Sequence, residues 1–174
     1  MEFRRVRPNV RRKSCKASAA ALVLLAWATL TGAGNAQQIL VQSGLGAPVK
    51  LTAAEIAALP HQKISVENHG KTVRFAGVAL RLVLEKAGVA LGSSLRGKRL
   101  SSCLLVEAAD GYRVVFALPE LDPGFTDRVV LLADKADGRP LNGKEGPFRI
   151  IVPGDKIMAR WVRQVTTLKV VQVE

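Results

Sequence analysis

From residue 37 onward the apolar positions fall into short runs that alternate with polar ones, separated by Gly, Pro, Asn and Asp. Period-two alternation over four to eight residues predicts half-buried strands. On that basis Ile39 to Gln42 and Val49 to Leu51 are strands, parted by the turn formers Gly44, Gly46 and Pro48. Thr52-Ala53-Ala54-Glu55 has the spacing of a capping box and opens a short helix that stops by Leu59, ahead of Pro60. Ile64 to Glu67 and Lys71 to Phe75 are β-prone runs around Asn68-His69-Gly70, which predicts a tight reversal. Gly77 reads as the break that ends the second run. Leu80, Val83, Leu84 and Ala87 then recur at helical spacing, with Gly88 as C-terminal cap and Arg81 and Glu85 one turn apart outside.

After a basic connector from Gly92 to Arg99, Ser101 to Ala108 and Tyr112 to Ala117 flank Asp110-Gly111, a strong hairpin signal. Leu118 to Gly124 reads as a loop or single helical turn. Val129 to Ala133 is a wholly apolar strand, Asp137-Gly138 a turn, and Phe148 to Val152 a strand ending at Pro153-Gly154. Lys156 to Arg163 is expected to form a short helix, and Val165 to Val173 a closing strand. Many short strands with few short helices predict an α+β domain whose sheet is mixed and mostly antiparallel.

The first 36 residues differ. Seven of the 26 Lys+Arg residues lie there against Glu2 alone, followed by the apolar run Ala17 to Leu30 and the small residues Gly34-Asn35-Ala36. That is the outline of a secretory signal, with removal expected after Ala36. The competing reading is a retained anchor, for which the run is shorter than the about 20 residues a spanning helix needs. Arg11-Arg12-Lys13 also outlines a twin-arginine motif without its usual apolar residues. Residues 37–174 are then a single domain with 19 basic and 13 acidic residues, net +6, and the protein is expected outside the cytoplasm, periplasmic or secreted. This balance and location argue against nucleic acid and leave an anionic ligand or surface as partner.

Of the two cysteines, Cys15 leaves with the signal, so Cys103 has no partner for an intramolecular bridge. There is no CxxCH, CxxC or HExxH pattern. Cys103 sits in an apolar strand and reads as a small hydrophobe rather than a reactive thiol. His69, beside Asn68 at a turn tip with His61 eight residues back, reads as a solvated residue rather than a base or ligand. The segment from Gly146 to Gln164 is richer, with Arg149, Lys156, Arg160 and Arg163 clustered around Trp161. Guanidinium groups grip phosphate and carboxylate in bidentate fashion, and an indole stacks on a flat ring. An anionic heterocycle would suit that set; the plainer alternative is a basic surface with Trp161 in the core and Asp155 pairing locally.

Four segments, 77–89, 109–121, 129–141 and 146–170, resemble in order and spacing the sulfite-oxidase-type molybdopterin-binding domain, in particular its small exported stand-alone versions. The resemblance implies that fold over roughly Ile39 to Val173. It makes Asp155, Lys156, Arg160 and Trp161 candidates for a pterin-phosphate site and molybdopterin the candidate cofactor. The family's larger enzymes hold molybdenum through a cysteine in a Cys-Val-Glu or Cys-x-Gly-Asn run. The matching run here is Ser65-Val66-Glu67-Asn68, which puts Ser65 at the ligand position. A hydroxyl is a harder and far less acidic donor than a thiol, so no protein-held metal is expected. The resemblance then implies an exported module that binds a pterin or another anionic small molecule. The alternatives are an interaction domain that has lost the cofactor, working with a redox or other partner protein, and an active molybdenum oxidoreductase.

Overall fold

The computed structural model describes residues 37–173, apart from Leu45, His69 and the side chain of Asn68. The expected signal segment therefore lies outside the described residues, as does the reading of His69. Ten strands and two short helices follow in the order β1 (Gln38–Gln42), β2 (Val49–Thr52), α1 (Ala53–Ala57), β3 (His61–Asn68), β4 (Lys71–Ala79), α2 (Leu80–Lys86), β5 (Ser102–Ala108), β6 (Arg113–Ala117), β7 (Leu131–Ala136), β8 (Arg139–Pro140), β9 (Arg149–Ile151) and β10 (Val165–Gln172). Single 3₁₀ turns occupy Gly92–Ser94, Gly97–Ser101, Leu118–Leu121 and Met158–Arg160. This is the expected α+β class.

One sheet runs β2-β1-β10-β5-β6 and the other β3-β4-β7-β8, with β9 also on β7. Every pairing is antiparallel except β1 with β10, where Leu40 lies beside Thr167. Alternate residues of both sheets enter one core: Ile39, Leu104, Phe116 and Leu168 from the first, Phe75, Leu131 and Ile150 from the second, with Leu80, Val83 and Leu84 of α2. In β1 and β5 the opposite faces are polar or half-buried, which is why their sequences alternate, whereas β9 and the first half of β7 are buried throughout.

The local chemistry behaves as its spacing dictates. Thr52 caps α1: its hydroxyl accepts from the Glu55 N–H at 3.2 Å, and the Glu55 carboxylate accepts from the Thr52 N–H at 2.8 Å. The bond from the Thr52 N–H first, and then one from the Thr52 hydroxyl to the same carboxylate at 2.8 Å, hold the Glu55 carboxyl below its ordinary value of 4.5. A carboxylate depressed in this way adds stability above the unfolded pKa and loses it as pH falls through the lower folded value. Thr52→Ala is expected to cost about 1 kcal/mol, read as a lower urea midpoint with an unchanged m-value. The acid sensitivity tied to Glu55 should shrink with it. An unchanged midpoint would show that the box contributes nothing.

Three expectations need correction. Gly77 does not end a strand; β4 runs through it to Ala79. The pairing with β7 shifts at that point, because Ala76 faces Lys135 while Gly77 faces Ala133, so Asp134 bulges out. A Cβ at Gly77 would lie 2.1 Å from the Leu132 carbonyl oxygen, so glycine is there for close approach. The second correction is the helix over Lys156 to Arg163, of which only the Met158–Arg160 turn exists. Residues 162–165 instead run beside β9, where Ile150 N–H donates to Val162 O at 2.8 Å and Val165 N–H to Phe148 O at 3.0 Å. Those bonds and the burial of adjacent Trp161 and Val162 exclude a helix, and the chain bends at Gln164, whose φ is 48°, before β10 begins. Third, β7 spans Leu131–Ala136 rather than Val129 to Ala133, since the Val130 carbonyl accepts from Leu80 N–H at the start of α2.

Candidate functional site

β9 carries an arginine into the core. Arg149 is 3% exposed between Phe148 and Ile150, both buried. Its Nη1 donates to the Glu145 carboxylate four residues earlier, and its guanidinium carbon stands 5.6 Å from the ring centroids of both Phe75 and Trp161. Phe75 and Trp161 meet edge to face at 6.1 Å. Burial pushes the Arg149 pKa down, Glu145 opposes that, and the neighbouring charge of Arg163 adds to the lowering. Arg149 Nε is buried and has no partner among the described residues.

Arg149 lines an open cavity of about 250 Å³ together with Asp110, Tyr112, Met158, Trp161 and Arg163. The β5–β6 hairpin and the Met158–Arg160 turn form its walls and are tied to each other, since Tyr112 Oη donates to Ala159 O at 2.8 Å. Trp161 is held from the opposite side, its Nε1–H donating to Val152 O at 3.1 Å, and is 5% exposed.

The four residues picked out by resemblance are placed differently from one another. Trp161 lines the cavity from within the core. Arg160 grips Asp155 with two bonds, Nε to Oδ2 at 2.8 Å and Nη2 to Oδ1 at 2.7 Å, and reaches Glu120 at 3.2 Å while lying 5.0 Å above the Phe116 ring. The Asp155 bonds lead in raising its pKa above the ordinary arginine value. Two carboxylates on one guanidinium leave this cluster with an excess negative charge. Lys156 is exposed and makes no ion pair among the described residues.

Ser65 lies elsewhere. In β3 it is exposed and directly opposite Arg74, whereas its neighbour Ile64, opposite Phe75, packs against the core. Ser65 and the Arg149 cavity are thus on opposite faces of the same hairpin. His61 bridges Leu59 O at 2.9 Å and the Asp134 carboxylate at 3.3 Å. Cys103 is half-buried in β5, opposite Ala117 and Val171. No group of His, Cys, Asp or Glu among the described residues is arranged to hold a metal ion.

Sequence reasoning placed Arg149 in the basic cluster without singling it out, and it did not find Glu145 or Tyr112 as its surroundings, or Glu120 as a partner of Arg160. A signal for Arg149 was present: a charge flanked by Phe148, Ile150 and Ile151 in one strand must be buried with a partner or line a site.

Two sheets packed on one core, the first of them holding a single parallel strand pair, with a cavity beside the turn after β9, make up this α+β architecture. The comparisons agree. The oxidoreductase molybdopterin-binding-domain model matches residues 35–174, and the chain belongs to that family. Among solved structures it is similar to the sulfane dehydrogenase SoxCD from Paracoccus pantotrophus, with a TM-score of 0.59 at 20% identity. The match covers 76% of this chain and 37% of that one, so this chain spans well under half of its relative, and the likeness is one of fold. No curated protein matches the sequence.

The family implies a molybdopterin, and the residues fit one half of it. An orphaned guanidinium N–H beside an indole suits the oxygen atoms and flat ring of a pterin or its phosphate. The residues give the metal half no comparable fit, since Ser65, which only the resemblance implies as the ligand position, is on the other face of the hairpin. No helix among the described residues is long and apolar enough to cross a membrane.

Proposed function

We propose that this is an exported binding module for a flat anionic small molecule of the pterin class, seated at the Arg149–Trp161 cavity, with no protein ligand to molybdenum. The observation that carries this reading is the cavity lined by Arg149, whose Nε is buried without a partner among the described residues. A buried donor left without an acceptor costs about 1–3 kcal/mol, and an anionic ligand would recover it. Arg163 adds charge at the rim, Trp161 offers ring contact, and the Asp110 carboxylate can accept from an amino edge. About 250 Å³ is below the roughly 300–1,000 Å³ of drug-sized sites, so the cavity suits a bicyclic ring or the end of a larger cofactor. Lys156 and the Arg160–Asp155 pair then flank the site, with Arg160 fixing the turn that carries Trp161. Removal of the segment ending at Ala36 would deliver the module to the periplasm or exterior.

Trp27 and Trp161 are the two tryptophans of the chain, so a chain processed after Ala36 reports cavity occupancy through Trp161 alone. Titration with 6-carboxypterin is expected to quench that fluorescence saturably. Arg163→Gln, at an exposed rim position, should weaken binding about tenfold, as loss of a charge-assisted contact does. Protein purified from its native compartment should contain no stoichiometric molybdenum. Absence of quenching, or equal affinity in the variant, would reject the site; stoichiometric molybdenum would restore the oxidoreductase reading.

A further inference from the structure

The outer face of the β3–β4 hairpin carries a second arrangement that the Arg149 cavity does not use. Lys63, Ser65, Thr72 and Arg74 line a cavity of about 390 Å³ with Asp137 at its edge. The register explains why they converge. Ser65 lies opposite Arg74, Lys63 opposite Ala76 and Glu67 opposite Thr72, so Lys63 and Arg74 are diagonal neighbours, as are Ser65 and Thr72. Such diagonals span about 7–8 Å across an antiparallel pair, a gap that two long cationic side chains close around one tetrahedral oxyanion.

Unlike Arg149 and Arg160, which are committed to carboxylates, neither Lys63 nor Arg74 makes an ion pair among the described residues. Glu67 shares the face but does not line the cavity. Arg74 is also anchored. Its N–H donates to Asp137 Oδ1 at 2.9 Å, and its carbonyl accepts from Asp137 N–H at 2.8 Å. These two bonds clamp the backbone from which the guanidinium projects, which reduces what must be ordered when a ligand binds.

We propose that this cavity is a separate site for a small molecule bearing a phosphate or sulfate monoester on a polar body. Lys63 and Arg74 take the oxyanion, and the hydroxyls of Ser65 and Thr72 donate to its remaining oxygens. The cavity is larger than an inorganic ion requires and is in the size range of small-molecule sites. Five of its seven lining residues, all but Ala76 and Gly138, carry polar side chains, which suits a polar body, and Asp137 accepts from a ligand hydroxyl. This inference does not depend on what occupies the Arg149 cavity.

The test is a ¹H–¹⁵N titration of the full protein with inorganic phosphate, inorganic sulfate and glycerol 3-phosphate. Saturable shifts are expected at the amides of 63–65, 72–74 and 137–138, with glycerol 3-phosphate tighter than phosphate. Preference for phosphate or for sulfate would identify the group; either one supports the site. Arg74→Gln and Lys63→Gln, both at exposed positions, should each weaken binding about tenfold, while Arg163→Gln at the other cavity leaves it unchanged. Shifts spread over the whole basic surface without saturation would overturn the proposal, as would an Arg74→Gln protein that binds as tightly as the parent.

Discussion

Gly77→Ala is expected to destabilise the domain by about 4 kcal/mol or to prevent its folding. An added Cβ would lie 2.1 Å from Leu132 O, 2.5 Å from Ala133 Cα and 2.8 Å from Leu132 C. All three atoms belong to the backbone of β7, so no side chain can swing aside. β7 is itself held between β4 on one edge and β8 and β9 on the other, which resists the shift of more than 1 Å that relief would need. Overpacking in a core ordinarily costs about 1–3 kcal/mol; a clash with paired backbone belongs at or beyond the top of that range. At this chain length 1 kcal/mol moves the melting temperature by roughly 3–5 °C, so a fall of more than about 10 °C is expected. Gly143→Ala is the control, because its Cβ meets nothing within 4 Å and its φ is not positive; it should stay within about 0.5 kcal/mol. Equal melting temperatures for the two variants would show that β4 and β7 do not approach as described.

What could be read in the sequence divides along the range of the interactions. The capping box at Thr52, the Asp110-Gly111 reversal and the α2 stripe of Leu80, Val83 and Leu84 depend on neighbours a few residues away, and each formed where its spacing put it. Gly77 was misread because the same residue serves as a stop signal and as a point of close approach, and only the partner strand decides which. The helix expected over Lys156 to Arg163 failed for a similar reason. Arg160 and Arg163 have helical spacing, but bonds to β9, which lies before them in the chain, hold the segment in a non-helical path that bends at Gln164. The parallel placement of β1 beside β10 joins the two ends of the domain, and no local pattern encodes it.

The candidate site shows the same limit. The cluster around Trp161 was legible as composition, yet composition could not say which cations are free. Arg160 is answered by Asp155 and Glu120, the latter 40 residues upstream, while Arg149 keeps one N–H unanswered. Nor could Ser65 be assigned a face until its register with Arg74 was known, because a shift of one residue would have turned it toward Phe75 and the core. The hairpin therefore turns Ile64 and Phe75 toward Arg149 and the core, and Ser65, the position singled out by resemblance, toward the outside.

That division makes Arg149 the residue whose replacement is most informative. Arg149→Met keeps much of the side-chain volume against Phe75 and Trp161 and removes the charge. It is expected to cost about 2–3 kcal/mol. Breaking a buried pair costs about 3–5 kcal/mol when the remaining charge is stranded, and here the Glu145 side chain is 24% exposed, so water recovers part of that. Arg149→Ala adds a void beside the two aromatic rings and should be worse. Pairing Arg149→Met with Glu145→Gln removes both charges at once and should return stability to within about 1 kcal/mol of the parent, because a neutral packed pair often matches an ion pair in a core. Chemical denaturation of the four proteins completes a double-mutant cycle. If the double variant recovers stability but no longer binds 6-carboxypterin, the guanidinium serves ligand rather than fold. If it recovers stability and binds as before, Arg149 is no part of the site. A double variant as unstable as Arg149→Met would show instead that the arginine's contacts with Phe75 and Trp161, and not its pairing with Glu145, hold the core together there.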